Sequence, residues 1–396
     1  AKKAFGNKYA TLTVWLQWIN TLVFFPTCLT TLAGTAAYLI DPALTHNPIF
    51  LVIFSLSAFW IMTLINLKGV KQSTKITTIT TIIGLVIPMT LILTLSLLWI
   101  ILGKPLALHL DKVFIMPNLG HQSTWLSLTA IITAFLGMEL ATVHVKKIKN
   151  GHTVFPKALV IAIIIIILTM GLGSLGISLI IPNSDILLVS GTIQALHTLF
   201  AGFHSPWLSN VLGIMLIFAS LGTMVNWMIS PAQGMAHAVS DNKALKKFAA
   251  ENKHGVPSKI LIAQAIAVSI ISCAFFVMPS INGSYWLLLD LSTQLYMAMY
   301  ILMFISALKL IIGFDKIFLI PGGKLGYVTI SILGLIGCII TFIVGFIPPG
   351  NINVGGTLHF ELMFCIGFIT MCAPVLLFNF IKGYKKGYNK GDKKCI

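Results

Sequence analysis

The chain has 396 residues, of which 57% are hydrophobic and only 9% are charged, and its mean hydropathy is +0.96. Soluble globular proteins carry roughly 25% charged residues, so this composition excludes an ordinary soluble enzyme, a disordered protein and a nucleic-acid module. The net charge of +16 would otherwise suggest an acidic partner. All 26 basic residues are lysines, and their positions decide what the charge means.

Ten apolar stretches are each long enough to cross a bilayer as a helix, which takes about 20 residues. They are continuous and lack the short alternating pattern of barrel strands, and inside lipid only helices and closed barrels satisfy their backbone polar groups. The sequence therefore predicts an all-α polytopic membrane protein with ten transmembrane helices. In chain order the predicted spans are 11–39, 47–67, 76–102, 123–145, 157–181, 208–236, 257–279, 286–311, 325–347 and 358–380.

The lysines sort by side when these spans are threaded through a membrane. The segments before the odd-numbered spans, together with the C-terminal tail, hold 24 of the 26 lysines, and only Lys104 and Lys112 lie on the other side. Cationic loops stay cytoplasmic, so both ends of the chain are predicted to be cytoplasmic and the protein to lie in a bacterial inner membrane. The basic charge then records topology, and no nucleic-acid partner is expected.

Sequence motifs of enzymes and metal sites are weak in this chain. Residues 171–176 (GLGSLG) match a dinucleotide-binding spacing, but they lie inside an apolar span and follow no strand. Small residues at a helix–helix contact explain them better. There is no Cys or His ligand spacing and no catalytic constellation, so we expect no enzyme activity, no cofactor and no metal.

Glu139 is the acidic residue that most suggests a site within a span. Ionisable residues in transmembrane segments are costly and mark function by default. Gly137, two residues earlier, weakens the helix, and broken helices expose backbone groups that bind substrates in transporters. The alternative is that Glu139 lies near the cytoplasmic end and pairs with Lys146 or Lys147.

Two other acidic residues and three aromatic residues are weaker candidates. Asp290 lies in the outer part of the eighth predicted span and is left open between a site and an interfacial position. Glu361 is interpreted as interfacial. Tyr296 and Tyr300 are four residues apart and so share one helix face. Trp227 precedes a Pro231-containing break in the sixth span, and packing or interfacial anchoring is the alternative for all three aromatic residues.

Several motifs occur together along the chain: Phe135-x-Gly137-x-Glu139, the turn 230–234 (SPAQG), residues 15–18 (WLQW) and residues 342–352 (FIVGFIPPGNI). In order and spacing they resemble the amino acid–polyamine–organocation superfamily of transporters. The last stretch is most similar to the glutamate/GABA antiporters within it. The resemblance covers essentially the whole chain and implies a LeuT-type fold of two inverted five-helix repeats plus two further helices.

The resemblance aligns the first predicted span with the third family helix, and the tenth span with the twelfth. Together with a first residue that is Ala1 rather than Met, this leads us to expect an N-terminally truncated chain that lacks the first two family helices. The implied organisation is 1–102 as the remainder of the first repeat, 103–122 as an outer loop, 123–312 as the second repeat, 313–381 as the two last helices, and 382–396 as a Lys-rich cytoplasmic tail.

The resemblance also implies which residues bind the substrate. The site would be lined by Phe135, Gly137, Glu139, Thr223, Trp227, Tyr296 and Tyr300. Two positions depart from the antiporter pattern: Thr223 stands where an acidic residue is usual, and Gln233 where an arginine is usual. Glutamate specificity is therefore not carried over to this chain.

The expected function is amino acid transport, as an antiporter that works by alternating access. Three alternatives stay open: a proton-coupled symporter, an exchanger of other amino acids or polyamines, and a non-transporting remnant with an incomplete site. The expected partners are a small amino acid substrate and the lipid bilayer, with protons as an open addition. The sequence does not indicate an oligomeric state.

Overall fold

A computed structural model of the chain describes residues 2–69, 79–107, 120, 122–137, 149–182, 186–240, 247–311, 323–350 and 352–391, with side chains up to residue 376. Within these ranges every regular element is a helix and there is no strand, which confirms the predicted all-α class. The principal helices are α1 Asn7–Ile40, α2 Pro48–Leu67, α3 Ile87–Ile101, α4 Gln122–Thr133, α5 Gly151–Ile180, α6 Gly191–Gly202, α7 Trp207–Ser240, α8 Ser258–Ser272, α9 Ile281–Ile311, α10 Gly323–Val344 and α11 Thr357–Gly391.

Helix α1 forms the centre of the bundle. It packs against α2, α7, α8, α9 and α11, and 67% of its most apolar window is buried, compared with 6% for α5. Leu22, Phe25 and Leu29 of α1 are almost fully enclosed in the main core. The outer helices instead expose large aliphatic side chains, such as Ile164 and Leu168 of α5, because lipid rather than protein covers that surface.

Nine helices in the described ranges are long and apolar enough to cross a membrane. They correspond to nine of the ten predicted spans. The remaining predicted span, 123–145, is described only as far as residue 137. Its described part contains the 12-residue helix α4. The count of ten therefore stays a prediction, as does the division into inverted repeats.

The connecting segments meet at the two ends of the bundle as the lysine pattern predicts. At one end, the Asn252 side chain donates to the carbonyl of Leu67 at 2.8 Å, and the Lys309 ammonium lies 4.3 Å from the centre of the Phe5 ring. At the other end, the Ser280 hydroxyl donates to the carbonyl of Asn353 at 2.6 Å. Segments assigned to the same side by sequence therefore lie together.

Capping side chains define the start of α2. Asn47 accepts hydrogen bonds from the backbone N–H groups of Ile49 and Phe50 at 3.0 and 3.2 Å, and Pro48 occupies the first turn. This arrangement satisfies N–H groups that have no partner within the helix. It ends the sharp turn that follows α1 and so positions α2 against it.

Two of the three glycines in residues 171–176 lie at a helix–helix contact, as the sequence predicts. A methyl group added to Gly176 would lie 2.9 Å from the Ser96 hydroxyl, and one added to Gly173 would lie 3.0 Å from the sulfur of Met89. Both neighbours belong to the segment of α3, so the small residues allow α5 and α3 to approach closely. Gly171 faces open space.

Helix α6 is not among the predicted elements. It has 12 residues and is too short to cross a membrane, but Leu196 and Leu199 are fully buried against α3 and α7. A search for 20-residue apolar stretches cannot detect α6, because the helix is shorter than 20 residues. Its burial is a result of tertiary packing.

Candidate functional site

The C-terminal end of α4 loses its regular hydrogen bonding immediately before the predicted Glu139 site. The N–H groups of Phe135 and Leu136 bond to carbonyls three residues earlier, at 2.9 and 3.1 Å, rather than four. Gly137 then adopts a left-handed backbone with φ +88°, which residues with a Cβ atom rarely adopt. The helix therefore unwinds at residues 134–137, as the glycine predicts.

An unwound helix end leaves backbone groups without helical partners. At the C-terminal end of a helix these groups are carbonyls, which can bind the amine of a substrate when they line a cavity in a membrane protein. Phe135 is half-buried, and Leu136 packs against the main core. Glu139, as well as its alternative partners Lys146 and Lys147, lies outside the described residues, so its role stays a prediction.

The end of α4, next to the unwound segment, is joined to α9 by two hydroxyl groups. Thr133, the last residue of α4, has its side-chain oxygen 2.7 Å from that of Thr293. Thr293 is fully buried. This contact places the end of α4 beside the turn of α9 that precedes the predicted tyrosine pair.

The tyrosine pair shares one face of α9, as the sequence predicts. The ring centres of Tyr296 and Tyr300 are 5.1 Å apart and the rings are perpendicular, an edge-to-face arrangement that aromatic pairs favour. Tyr296 is buried and Tyr300 is half-buried. The pair therefore extends from the protein core toward a more open position.

Thr223 and Trp227 lie one turn apart on α7. The Thr223 hydroxyl donates to the carbonyl of Ala219 at 2.9 Å, so this side chain is held against its own helix. The Trp227 side chain is 44% exposed, and its ring centre lies 5.8 Å from that of Phe24 on α1. Thr223 is therefore bonded to its own helix, whereas the Trp227 ring contacts α1 and is partly exposed.

Helix α1 connects the two groups of candidate residues. Asn20 of α1 accepts a hydrogen bond from Ser292 of α9, and Phe24, one turn later, contacts Trp227 of α7. Residues four apart share a helix face, so α1 presents adjacent contacts to both helices. The structure thereby places Ser292 of α9 and Trp227 of α7 against successive turns of α1, whereas Tyr296 and Tyr300 follow one and two turns after Ser292 along α9.

Pro231 lies inside α7 without interrupting it, since the helix runs from Trp207 to Ser240, so the break predicted at this proline is wrong. Proline has no N–H, so the carbonyl of Trp227, four residues earlier, loses its helical donor, and two buried amides bond to carbonyls on either side of it. Asn66 of α2 donates to the carbonyl of Val225 at 3.3 Å, and Gln264 of α8 donates to the carbonyl of Met228 at 3.4 Å. These bonds flank Trp227 and hold its backbone in place.

The polar residues that connect these helices are not predicted from the sequence. Asn20, Thr133, Ser292 and Thr293 were not among the candidates, although all four stand inside apolar spans. The signal that could have identified them is the polar run of α9, in which residues 290 and 292–294 are consecutive buried polar positions apart from Leu291. A hydropathy search averages over about 20 residues, so the apolar neighbours hide a short polar run.

A cavity of about 300 Å³ lies at the end of the bundle predicted to be outside. Thr45, His46, Val189 and Asn282 are among its lining residues, and none of the candidate site residues lines it. In the part of the chain that the structure describes, no group of three or more His, Cys, Asp or Glu residues is arranged to hold a metal ion.

Comparison with known proteins identifies the family. Residues 1–371 match the family model described as amino acid permease. An uncharacterized transporter of Legionella pneumophila is 35% identical over 373 residues, which are 93% of this chain and 80% of that protein. A glutamate/γ-aminobutyrate antiporter of Lactococcus lactis is 26% identical over 94% of this chain and 76% of its own. A cadaverine/lysine antiporter of Escherichia coli is 22% identical over 71% and 60% respectively.

Proposed function

The chain belongs to the amino acid permease family, and we propose that it is an amino acid antiporter, similar to the glutamate/γ-aminobutyrate antiporters, that works by alternating access. It is a multi-pass membrane protein and a transporter rather than an enzyme. The finer assignment is supported by relatives that are named as antiporters. The protein would lie in a bacterial inner membrane, with the lysine-rich end of the bundle on the cytoplasmic side.

The observation that carries the proposal is the unwound end of α4 with Gly137 at φ +88°. Its free carbonyls would bind the amine of the substrate, because the last carbonyls of a helix have no helical donors. The bond between Thr133 and Thr293 would keep this segment beside α9. Glu139 would supply the acidic group of the site or respond to a coupled ion.

The aromatic residues would cover the substrate from the other side. Trp227 would act as a gate, since its ring is half exposed and rests on Phe24 of α1. Tyr296 and Tyr300 would line the path, with Thr223 as a neutral neighbour one turn from the tryptophan. A lining without a second acid at position 223 favours a substrate with few positive charges.

A second candidate is exchange of polyamines or cationic amino acids. It is favoured by the relationship to the cadaverine/lysine antiporter. The neutral side chain of Thr223 weighs against it, because a diamine needs acidic groups to offset the desolvation of two charges. Proton-coupled symport and a folded but inactive protein are the remaining outcomes.

The test is counterflow by the purified chain in liposomes. Vesicles loaded with one unlabelled amino acid are placed in a solution of a labelled one, and a panel that includes glutamate, γ-aminobutyrate, lysine and cadaverine is compared. Antiport predicts uptake only into loaded vesicles. Uptake into empty vesicles that follows an imposed proton gradient would instead show symport, and no uptake of any substrate by folded protein would contradict transport by this chain.

A further inference from the structure

One turn of α9 concentrates buried polar side chains in the middle of a membrane span. Asp290 is 2% exposed and Gln294 is fully buried, with Ser292 and Thr293 buried between them. Asp290 is nine residues from the start of the helix at Ile281, about 14 Å along its axis. Since α9 has 31 residues, this position is well inside the span rather than at its end, where water would hydrate an acid.

The carboxyl group of Asp290 makes a single hydrogen bond with the described residues. Its Oδ1 atom accepts from the Gln294 side-chain amide at 3.1 Å. The same amide nitrogen also donates to the carbonyl of Thr341 on α10 at 3.1 Å, which uses both of its protons. The Oδ2 atom of Asp290 and the Oε1 atom of Gln294 are buried and have no hydrogen-bond partner in the described part of the chain.

The helices that pack against this turn offer neutral groups to it. Helix α1 presents Asn20 to Ser292, α4 presents Thr133 to Thr293, and α10 presents Thr341 to Gln294. Helix α11 approaches at Leu291 through Gly367. No described cation bonds to Asp290, and the lysines of α1, α9 and α10 are Lys8, Lys309 and Lys324, at the ends of those helices remote from this turn.

The other titratable side chains on these helices, and on the short helix Lys2–Phe5 that also contacts α9, do not pair with Asp290 either. Those described are Lys2, Lys3, Tyr9, Cys28, Tyr38, Tyr285, Tyr296, Tyr300, Tyr327, Cys338, His359, Glu361, Cys365 and Cys372. Helix α4 contributes none over residues 122–133. With the described residues, a carboxylate at this position would have one hydrogen bond and no opposite charge, which is a strongly unfavourable state in a low-dielectric interior.

We propose that Asp290 is a proton-binding site of this transporter, in which the Oδ2 atom carries the proton and the amide of Gln294 senses it. The proposal rests on the proposed transport function and adds a second ligand to it. Release moves the proton from Oδ2 to water on the side to which the transporter is open, and leaves a carboxylate. That carboxylate needs more donors. Among the described residues, the Gln294 amide proton that now bonds to Thr341 is the nearest such donor.

Loss of the proton would thereby weaken the contact between α9 and α10 and act on the substrate site. The affected turn includes Thr293, which contacts the last residue of α4 beside the unwound segment. It also precedes Tyr296 by less than two turns. Protonation of Asp290 would therefore favour the arrangement described above, in which α4, α9 and α10 are connected through one turn.

The first measurement is an infrared difference spectrum of the purified full chain between acidic and alkaline solution. A protonated carboxyl group in an apolar site has its own carbonyl-stretch band, which should be absent in Asp290→Asn. Glu361→Gln and Glu139→Gln are matched controls that each remove one other acid, and both should retain the band. A spectrum of folded Asp290→Asn identical to that of wild type would overturn the proposal.

A second variant keeps the acid and changes its partner. A methyl group at Gly345 would collide with the Gln294 amide, so Gly345→Ala should shift the position of the carboxyl band without removing it. If Asp290→Asn does not fold, this variant decides: an unshifted band in folded Gly345→Ala would overturn the link between the two side chains.

Counterflow then separates this inference from the proposed function. Exchange by wild type should change by up to about tenfold per pH unit across the titration of Asp290, the limit for one proton, and by less than about twofold in Asp290→Asn. If the carboxyl band is lost in Asp290→Asn but the wild-type protein transports nothing, the proton site is supported and the proposed function is contradicted. Transport with pH dependence unchanged in Asp290→Asn would remove the proton site alone.

Discussion

The side-chain oxygens of Thr133 and Thr293 lie 2.7 Å apart and join the end of α4 to the buried middle of α9. Each hydroxyl is also within hydrogen-bond distance of a carbonyl one turn earlier in its own helix, at 2.7 Å for Thr133 and 2.8 Å for Thr293. A hydroxyl has one proton, so one of the two must leave its own carbonyl to form the interhelical bond. The contact can therefore be made or broken without moving either helix.

This contact predicts a coupling between the two residues. We expect Thr133→Val and Thr293→Val each to lower the free energy of unfolding, and the double variant to cost less than their sum by about 0.6 kcal/mol, the average for interhelical hydrogen bonds in membranes. Thermal unfolding of the four proteins in detergent measures the coupling. Strictly additive effects would show that the two hydroxyls do not interact.

Gly137→Ala should impair exchange because position 137 has a left-handed backbone with φ +88°. A residue with a Cβ atom pays roughly 1–2 kcal/mol in that conformation, so the unwound segment would shift toward regular helix. Counterflow should fall several-fold while the protein remains folded.

Gly103→Ala is the matched control for that variant. Gly103 also has a positive φ, of +63°, and open space around its Cβ position, but it lies in a turn after α3. It should carry a similar strain and leave exchange unchanged. Equal loss of exchange in both variants would mean that strain alone, and not the position of Gly137, explains the effect.

Trp227→Ala should slow exchange roughly tenfold, which corresponds to losing about 1.4 kcal/mol of substrate interaction. Trp227→Phe should retain most of the rate, because an aromatic ring can still rest on Phe24. Trp207→Ala serves as control, since Trp207 is on the same helix and is 63% exposed outside the candidate site. If Trp207→Ala slows exchange as much as Trp227→Ala, the gate assignment fails.

Gly34→Ala should destabilise the protein more than any single aliphatic change on its lipid-facing surface. A methyl group at Gly34 would lie 2.5 Å from the carbonyl oxygen of Val189, a backbone atom that cannot rotate away, and such overpacking costs about 1–3 kcal/mol. Gly171→Ala is the control, because nothing lies within 4 Å of that position. Unfolding temperatures that fall equally in the two variants would contradict this close contact.

The long apolar elements could be predicted from sequence because lipid imposes length and composition on every spanning helix. The lysine pattern predicted which segments share an end, and the contacts between Asn252 and Leu67 and between Ser280 and Asn353 agree with it. Helix α6 could not be predicted in this way, because neither its length nor its hydropathy distinguishes a short buried helix from a loop.

The candidate site was predictable only in part. Gly137 indicated an unwound segment because glycine between apolar residues weakens a helix, and the spacing of Tyr296 and Tyr300 indicated a shared face. The partnership of Asn20 with Ser292 spans 272 positions and has no local signal. Long-range pairs of this kind depend on how helices pack, and a single sequence contains no direct record of that packing.

The most direct test of antiport through the unwound segment of α4 compares labelled amino acid uptake by wild type and Gly137→Ala in loaded and empty liposomes. The account predicts uptake by wild type only into loaded vesicles, and a several-fold lower rate for folded Gly137→Ala. Equal uptake into empty and loaded vesicles, or an unchanged rate in Gly137→Ala, would contradict it.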